Sequence, residues 1–313
     1  MKIVFLGNHT VGVRTLRVIR EMAELVGVVA HPADPEDGVR YESVTVAACG
    51  LGVPVLRSTG RSGELTQFIA ALEPDLLWIA DYRYLLPTAV LAMPRLGTIN
   101  LHPSLLPRYR GRAPVNWAIL HGETHLGLTA HFVDEGMDSG DIVGQRSFEL
   151  TRDEDVGDAL EKLYPLYESL TADVLGAMLR GQVSRRVQDG ALATAYPRRT
   201  PDDGRVDWAQ SAESVWNLTR AVAAPYPGAF TECGAGRLRI WKIRAARHLS
   251  STVTTAPGEV ISVSTERGEI TIACGDAAVV ISRFELEGAA MPLVGDRVGR
   301  PVALSAACEK KAA

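Results

Sequence analysis

An asparagine and a histidine two residues apart have the residue types and spacing to act together on one substrate. Asn100 and His102 lie at the end of the apolar run GTINL. Because side chains alternate along a β-strand, residues two apart project from the same face. An amide can donate to a developing negative charge. A histidine, whose ordinary pKa is about 6.5, can carry protons at neutral pH.

A carboxylate follows further along the chain, in a glycine-rich turn between two predicted strands. The segment HFVDEGMDSGDIVGQ, residues 131–145, contains Asp134 and Asp138. A carboxylate can orient an imidazole and stabilise its charged form. Acyl transfer to an amine needs an oxyanion donor, a proton carrier and a group that holds the carrier. Taken singly, such residues are more often turn or capping residues, so spacing alone predicts an α/β enzyme whose reaction stays open.

The elements that must position these side chains follow from hydrophobic periodicity. Short apolar runs alternate with amphipathic stretches, which predicts an α/β domain with a Rossmann-like, mostly parallel sheet and helices on both faces. Ligands bind such sheets at the carboxyl ends of the strands, which is where Asn100 and His102 would lie. The predicted strands are Lys2–Gly7, Val26–Ala30, Asp75–Ala80, Gly97–Leu101, Leu126–Val133 and Asp141–Leu150, and the predicted helices include Val11–Leu25, Tyr41–Leu51 and Asp155–Leu179.

The pattern changes after a polar segment that contains proline and glycine. The segment RRTPDDGR, residues 198–205, predicts a linker. Beyond it, one short helix (Ser211–Val222) and several short strands predict a small OB-like β-barrel. These strands are Ala229–Ile243, Gly258–Val263, Glu269–Cys274 and Ala278–Phe284. We therefore divide the chain into a catalytic domain, residues 1–203, and an OB-like C-terminal domain, residues 204–313.

The composition argues against several classes of protein. The 313 residues include 33 basic and 37 acidic ones, and a net charge of −4 gives no indication of a nucleic-acid or membrane-surface partner. The N-terminal apolar run is too short for a signal peptide, and no run approaches the roughly 18 apolar residues of a membrane span. The four cysteines form no CxxC pair, so we expect no metal and a cytoplasmic location.

The segments around the three candidate residues resemble folate-dependent formyltransferases. NLHPSLLPRYRGRAP, residues 100–114, contains that family's Asn-x-His and SLLP motifs, and the family's aspartate in a glycine-rich turn follows. Residues 206–230 resemble the C-terminal domain that methionyl-tRNA formyltransferase shares with several sugar enzymes. The resemblance implies Asn100, His102 and Asp138 as the catalytic set, 10-formyltetrahydrofolate as co-substrate, and no metal.

Within the family, the chain is most similar to sugar N-formyltransferases such as UDP-4-amino-4-deoxy-L-arabinose formyltransferase. The similarity lies in three segments, YRYLLP (82–87), YRGRAPVNWAILHGE (109–123) and RRTPDD (198–203). It implies contacts with the folate at Tyr82, Arg83, Tyr84, Leu85 and Asp134. It implies contacts with the acceptor at Ser104, Arg112, Asn116, Arg198, Arg199 and Thr200.

The resemblance implies transfer of a formyl group to the amine of a nucleotide-linked amino sugar, but two other acceptors stay open. They are methionyl-tRNA and another small amine, such as hydroxyornithine. A tRNA acceptor predicts a basic surface. Residues 1–203 carry 20 basic and 26 acidic side chains, and residues 204–313 carry 13 and 11. The densest basic group is Arg237, Arg239, Lys242, Arg244 and Arg247, which a strand would divide between its two faces. The oligomeric state also stays open, a homodimer included, although no heptad or long edge strand predicts one.

Overall fold

The computed structural model describes residues 1–32, 41–60, 63–247 and 255–299, the side chains of 245–247 excepted. The chain divides into two compact units. The first contains residues 1–115, 124–152 and 158–198, and the second contains residues 116–123, 153–157 and 199–313. Each unit therefore draws on several stretches of the chain, and the second resumes at Arg199, within the predicted linker.

Strands and helices alternate along the first part of the chain. In order they are β1 (Lys2–Gly7), α1 (His9–Met22), β2 (Glu24–Ala30), α2 (Val44–Gly50), β3 (Val55–Arg57), α3 (Gly63–Leu72), β4 (Leu76–Ala80), α4 (Thr88–Leu91), β5 (Thr98–His102), β6 (Arg110–Gly111), α5 (Pro114–Leu120), β7 (His125–Phe132), β8 (Ile142–Glu149), α6 (Val156–Leu179) and β9 (Ala195–Tyr196). In the part of the chain that the structure describes, no helix is long and apolar enough to cross a membrane.

Seven of these strands form one sheet, in the order β3-β2-β1-β4-β5-β7-β8. The five from β3 to β5 are parallel, and β7 and β8 add antiparallel strands at one edge. This confirms the prediction of a mostly parallel sheet. The strand order reverses between β1 and β4, so the crevice where α/β proteins bind ligands opens at the carboxyl ends of these strands.

The boundary between α1 and β2 differs from the sequence-based prediction. Val13, Leu16 and Ile19 are buried on one face of α1, as the periodicity indicates. The helix ends at Met22, however, and β2 begins at Glu24 because Glu24 pairs with Lys2 of β1. Strand pairing therefore overrides a helical pattern that runs on to Leu25.

Several short elements were not predicted. β3 has three residues and α4 has four, too few for a period to be visible. α5 begins at Pro114, a residue that suits the first turn of a helix because its missing N–H would be unpaired there in any case.

The second unit is built on a five-stranded antiparallel sheet, which confirms the prediction of a small C-terminal β domain. Its elements are α7 (Ala212–Ala221), β10 (Ala229–Cys233), β11 (Gly236–Arg247), β12 (Val260–Ser264), β13 (Glu269–Ala273) and β14 (Ala278–Glu287), with the sheet order β10-β11-β14-β13-β12. The predicted single strand Ala229–Ile243 is in fact a hairpin, because the chain turns at Gly234, whose φ of +57° favours glycine. Trp208, Trp216 and Ile240 lie in its buried core.

Candidate active site

The first unit brings Asn100, His102 and Asp138 together at the carboxyl end of β5, an interior strand of its sheet. Asn100 and His102 both belong to β5, and Asp138 lies in the loop between β7 and β8 with a φ of +51°. Asn100 Nδ2 is 3.4 Å from Asp138 Oδ1, and His102 Nδ1 is 3.6 Å from Asp138 Oδ2. The antiparallel pairing of β7 with β5 therefore returns the aspartate to the two residues that the motif placed in one strand.

His102 is buried, and a backbone carbonyl determines which of its nitrogens carries hydrogen. Nε2 lies 2.8 Å from the carbonyl oxygen of Tyr109, which can only accept, so Nε2 donates. In the neutral ring Nδ1 then holds the lone pair and faces Asp138. Burial lowers the pKa of His102 below its ordinary value, although the Asp138 carboxylate and the Tyr109 carbonyl act in the opposite direction. The ring is therefore neutral at pH 7 and can accept a proton on Nδ1.

Asp138 is held as a carboxylate. Its Oδ2 accepts a hydrogen bond from the N–H of Gly111 at 2.9 Å. Burial on its own would raise the pKa of Asp138, but His102, His131 and the Gly111 N–H outweigh it and hold the pKa well below its usual range. A negative charge is thus maintained beside His102 at neutral pH.

A two-stranded parallel sheet positions the backbone groups that contact His102 and Asp138. β6 pairs with β9, and Arg110 N donates to Thr194 O at 2.8 Å. Tyr109 N donates to Thr194 Oγ1 at 2.9 Å. Gly111 has a φ of +91°, and a Cβ at this position would lie 2.6 Å from the carbonyl oxygen of Tyr196. A glycine is therefore required where the backbone approaches the aspartate.

The site contains residues that sequence reasoning missed. His131 of β7 lies opposite Asn100 in the strand register, with Nε2 at 3.2 Å from Asn100 Nδ2 and 3.5 Å from Asp138 Oδ1. Gln188 donates from Nε2 to the carbonyl oxygens of Asp138, at 2.8 Å, and Gly140, at 2.7 Å. His131 had one usable signal, a titratable residue in the interior of a mostly apolar strand. Gln188 had none, because its segment shows no periodicity.

The predicted folate-contact residues lie mainly in the segment that follows β4. Tyr82 is buried, its hydroxyl donates to Ser58 O at 2.8 Å, and burial raises its pKa to about 12. Leu85, in contrast, is 85% exposed, and Tyr84 is partly exposed. Asp134 lies on the β7–β8 loop instead, where its Oδ1 accepts from Gly136 N at 3.1 Å and Ser139 Oγ at 2.8 Å. Asp134 thus shapes the loop that carries Asp138.

Arg83, also in this segment, contacts a buried histidine. Its backbone N and its Nε each lie 3.1 Å from a ring nitrogen of His31, at Nε2 and Nδ1 respectively. A neutral imidazole has only one lone-pair nitrogen, so only one of these donors can be satisfied. Burial, followed by the charge of Arg83, lowers the pKa of His31 to about 4.

The predicted acceptor-contact residues divide between the two units. In the first unit, Ser104 is buried and donates to Arg108 O at 2.8 Å, and exposed Arg112 donates to Arg83 O. Arg198 is exposed.

The other three predicted acceptor contacts belong to the second unit. Asn116 is buried and donates to Ala221 O at 2.7 Å. The guanidinium of Arg199 lies 4.8 Å from the centre of the Trp117 ring. The hydroxyl of Thr200 donates to Asp203 Oδ2 at 3.0 Å. Within the described residues, no three His, Cys, Asp or Glu side chains are grouped as a metal ion would require.

Comparison with known proteins matches both halves of the chain to formyltransferases. Residues 1–174 match the family model described as formyl transferase, and residues 198–293 match the model of the formyl transferase C-terminal domain. The methionyl-tRNA formyltransferase of Citrifermentans bemidjiense is 35% identical over 301 residues, which cover 95% of this chain and 92% of that protein.

Two solved structures share the fold at low identity. WlaRD, a sugar 3N-formyl transferase crystallised in the presence of dTDP and 5-N-formyl-THF, matches with a TM-score of 0.68 and 16% identity, over 91% of this chain and 97% of that one. The N-formyltransferase of Helicobacter canadensis, in complex with folinic acid and dTDP-3-aminofucose, matches with a TM-score of 0.67 and 15% identity, over 91% and 100%.

Proposed function

The chain belongs to the formyl transferase family, and we propose that it transfers a formyl group from 10-formyltetrahydrofolate to the amine of a nucleotide-linked amino sugar. The observation that carries the reaction type is the convergence of Asn100, His102 and Asp138 within 3.6 Å of the shared carboxylate. An amide donor, a neutral imidazole and a fixed carboxylate are the three groups that acyl transfer to an amine requires.

The course of the reaction follows from the orientation of these groups. The neutral amine attacks the formyl carbon, a C–N bond forms, and the carbonyl oxygen becomes an oxyanion. The amide of Asn100 donates to this oxygen, whose charge grows in the transition state. The bond from the formyl carbon to the folate nitrogen then breaks, leaving tetrahydrofolate and the formamide of the acceptor.

One proton must move from the attacking amine to the departing folate nitrogen. Since Nε2 of His102 is committed to the Tyr109 carbonyl, Nδ1 is the nitrogen that can take this proton. Asp138 faces Nδ1 at 3.6 Å and stabilises the imidazolium that forms. His102 then returns the proton to the leaving nitrogen, so the enzyme ends the cycle in its starting state.

Exposed apolar side chains near the site fit a folate. Leu85 and Met137 are 85% and 60% exposed, whereas large apolar residues of this unit are mostly buried. Met137 lies over Gly111, where a Cβ would be 3.0 Å from its sulfur. The next residue, Arg112, donates a hydrogen bond to the carbonyl oxygen of Arg83, which is in the same segment as Leu85. The pterin ring of the folate would cover such apolar surface and remove it from water.

Two arguments support a nucleotide-linked amino sugar as the acceptor, namely the resemblance of three segments to sugar N-formyltransferases and the distribution of charge. The sugar-enzyme similarity lies in residues 82–87, 109–123 and 198–203. In the second unit, Arg239 forms a two-pronged ion pair with Glu287 (2.5 and 2.9 Å), and Arg244 pairs with Glu269 at 2.8 Å. These arginines are therefore already neutralised by carboxylates and offer little to the phosphates of a nucleic acid.

Methionyl-tRNA is the second candidate acceptor. The relative that is 35% identical over nearly its whole length carries the name methionyl-tRNA formyltransferase, and this observation favours the tRNA. The two candidates share the donor and the three catalytic residues. They differ in how strongly acceptor binding should depend on salt, because a tRNA releases many counterions and a nucleotide diphosphate few.

A turnover assay with 10-formyltetrahydrofolate tests the proposal. Tetrahydrofolate release would be followed with UDP- and dTDP-linked 4-amino and 3-amino sugars and with charged methionyl-tRNA. We expect turnover with one nucleotide sugar and none with the tRNA. Turnover with the tRNA alone would refute the sugar acceptor, and the absence of turnover with every acceptor, hydroxyornithine included, would refute formyl transfer. Asn100→Ala serves as the inactive control.

A further inference from the structure

His131 is fully enclosed beside the site and has one available lone pair. His131 is 1% exposed, and its Nδ1 lies 2.7 Å from the carbonyl oxygen of Phe132. A carbonyl oxygen only accepts, so Nδ1 carries the hydrogen. In the neutral ring, Nε2 is therefore an acceptor, and it points at the amide nitrogen of Asn100 at 3.2 Å.

This arrangement determines which way the Asn100 carboxamide faces. One hydrogen of Nδ2 is directed at His131 Nε2, and the other is directed at Asp138 Oδ1 at the longer distance of 3.4 Å. A carboxamide turned by half a rotation would place its oxygen against a lone pair and a carboxylate, two contacts between acceptors. His131 and Asp138 together therefore exclude the turned orientation.

We propose that His131 is a positioning residue that holds the N–H side of Asn100 toward the formyl oxygen, an inference that rests on the proposed formyl transfer. The shorter bond to His131 is retained through the reaction. The longer and weaker bond to Asp138 frees its hydrogen for the oxyanion. Without His131 only the longer contact with Asp138 opposes rotation of the carboxamide. A rotated carboxamide presents its oxygen, which repels the negative charge that develops.

Substitution of His131 should therefore lower kcat and spare binding. We expect His131→Leu to reduce kcat by about ten- to a hundredfold, because a misplaced group costs up to about a hundredfold and a deleted oxyanion donor about a hundred- to a thousandfold. The KM values for 10-formyltetrahydrofolate and for the acceptor should change less than about threefold, because an effect confined to the transition state leaves ground-state binding intact. His131→Gln, which keeps an acceptor oxygen, should recover most of the rate.

The control is His125→Leu, the same substitution at the exposed start of the same strand, which should leave kcat unchanged. A double-mutant cycle separates positioning from general damage. On an Asn100→Ala background, His131→Leu should have almost no further effect, because the residue through which it acts is gone. If His131→Leu does not fold, as judged by circular dichroism, His131→Phe is used in its place.

Several outcomes would overturn the inference. They are full activity of the apolar variant, equal losses in kcat and affinity, failure of glutamine to restore the rate, or an undiminished effect on the Asn100→Ala background. Each of these outcomes is judged by comparison with wild-type protein that is active in formyl transfer. A wild-type protein without formyl transfer to any acceptor would instead refute the proposed function itself.

Discussion

Mild acid should destabilise the first unit through a single histidine. His31 is 3% exposed, its ring lies beside those of Tyr82 and Tyr84, and both its nitrogens face donors of Arg83 at 3.1 Å. A protonated ring would carry hydrogen on both nitrogens and meet both donors without a lone pair. Burial and the charge of Arg83 accordingly lower its pKa from 6.5 to about 4.

The sign and size of the effect follow from linkage. Between pH 6.5 and 4 the ring binds a proton in the unfolded chain but not in the folded one. The free energy of unfolding is therefore at its full value above pH 6.5 and decreases as the pH falls toward 4. Two protonation equilibria with these pKa values imply a loss of about 2 kcal/mol between pH 7 and pH 5, and about 3 kcal/mol by pH 4. In a marginally stable unit such a loss is large.

The assay must report on the first unit alone. Urea-dependent hydrogen exchange, measured by mass spectrometry on peptides from β1 and β4, gives its stability at pH 7 and pH 5. His31→Gln keeps an acceptor for one Arg83 donor and cannot titrate, so its loss between the two pH values should be about 2 kcal/mol smaller than that of the wild type. His125→Gln, at an exposed histidine, is the matched control. Parallel losses in wild type and His31→Gln would refute the reasoning.

Three further substitutions test the site. Asp138→Asn should lower kcat by about a thousandfold, because the charge that stabilises protonated His102 is lost. The thermal stability should change little, because the amide oxygen still accepts from the Gly111 N–H. Measurements of kcat and of the melting temperature check both expectations. Gln188→Leu removes both hydrogen bonds that hold the Asp138 loop, so kcat should fall by about tenfold or more in the same assay, and an unchanged kcat would contradict the role. Leu85→Asp should raise the KM for 10-formyltetrahydrofolate and leave the KM of the acceptor unchanged, as steady-state kinetics with each substrate varied would show.

Much of the site follows from local sequence. Residues two apart in one strand share a face whatever the rest of the chain does, so the common face of Asn100 and His102 could be predicted from spacing alone. Strand and helix alternation likewise predicted the mostly parallel sheet, which is confirmed, as is membership of the formyltransferase family. The catalytic roles themselves came from the resemblance, because an aspartate in a glycine-rich turn has no local feature that distinguishes it from an ordinary turn residue.

The contacts between distant segments of the chain were decided by the tertiary structure. His131 meets Asn100 only because β7 pairs antiparallel with β5 in a particular register, and a shift of one residue would turn its ring to the opposite face. Gln188 reaches Asp138, and Arg83 reaches His31, across long stretches of chain. The sequence by itself determined which side chains share a strand and which family the chain resembles. Hydrogen bonds between remote segments leave no period in the sequence, so only the packed sheet and its loops decided the partners that fix the Asn100 amide, the His102 ring and the Asp138 carboxylate.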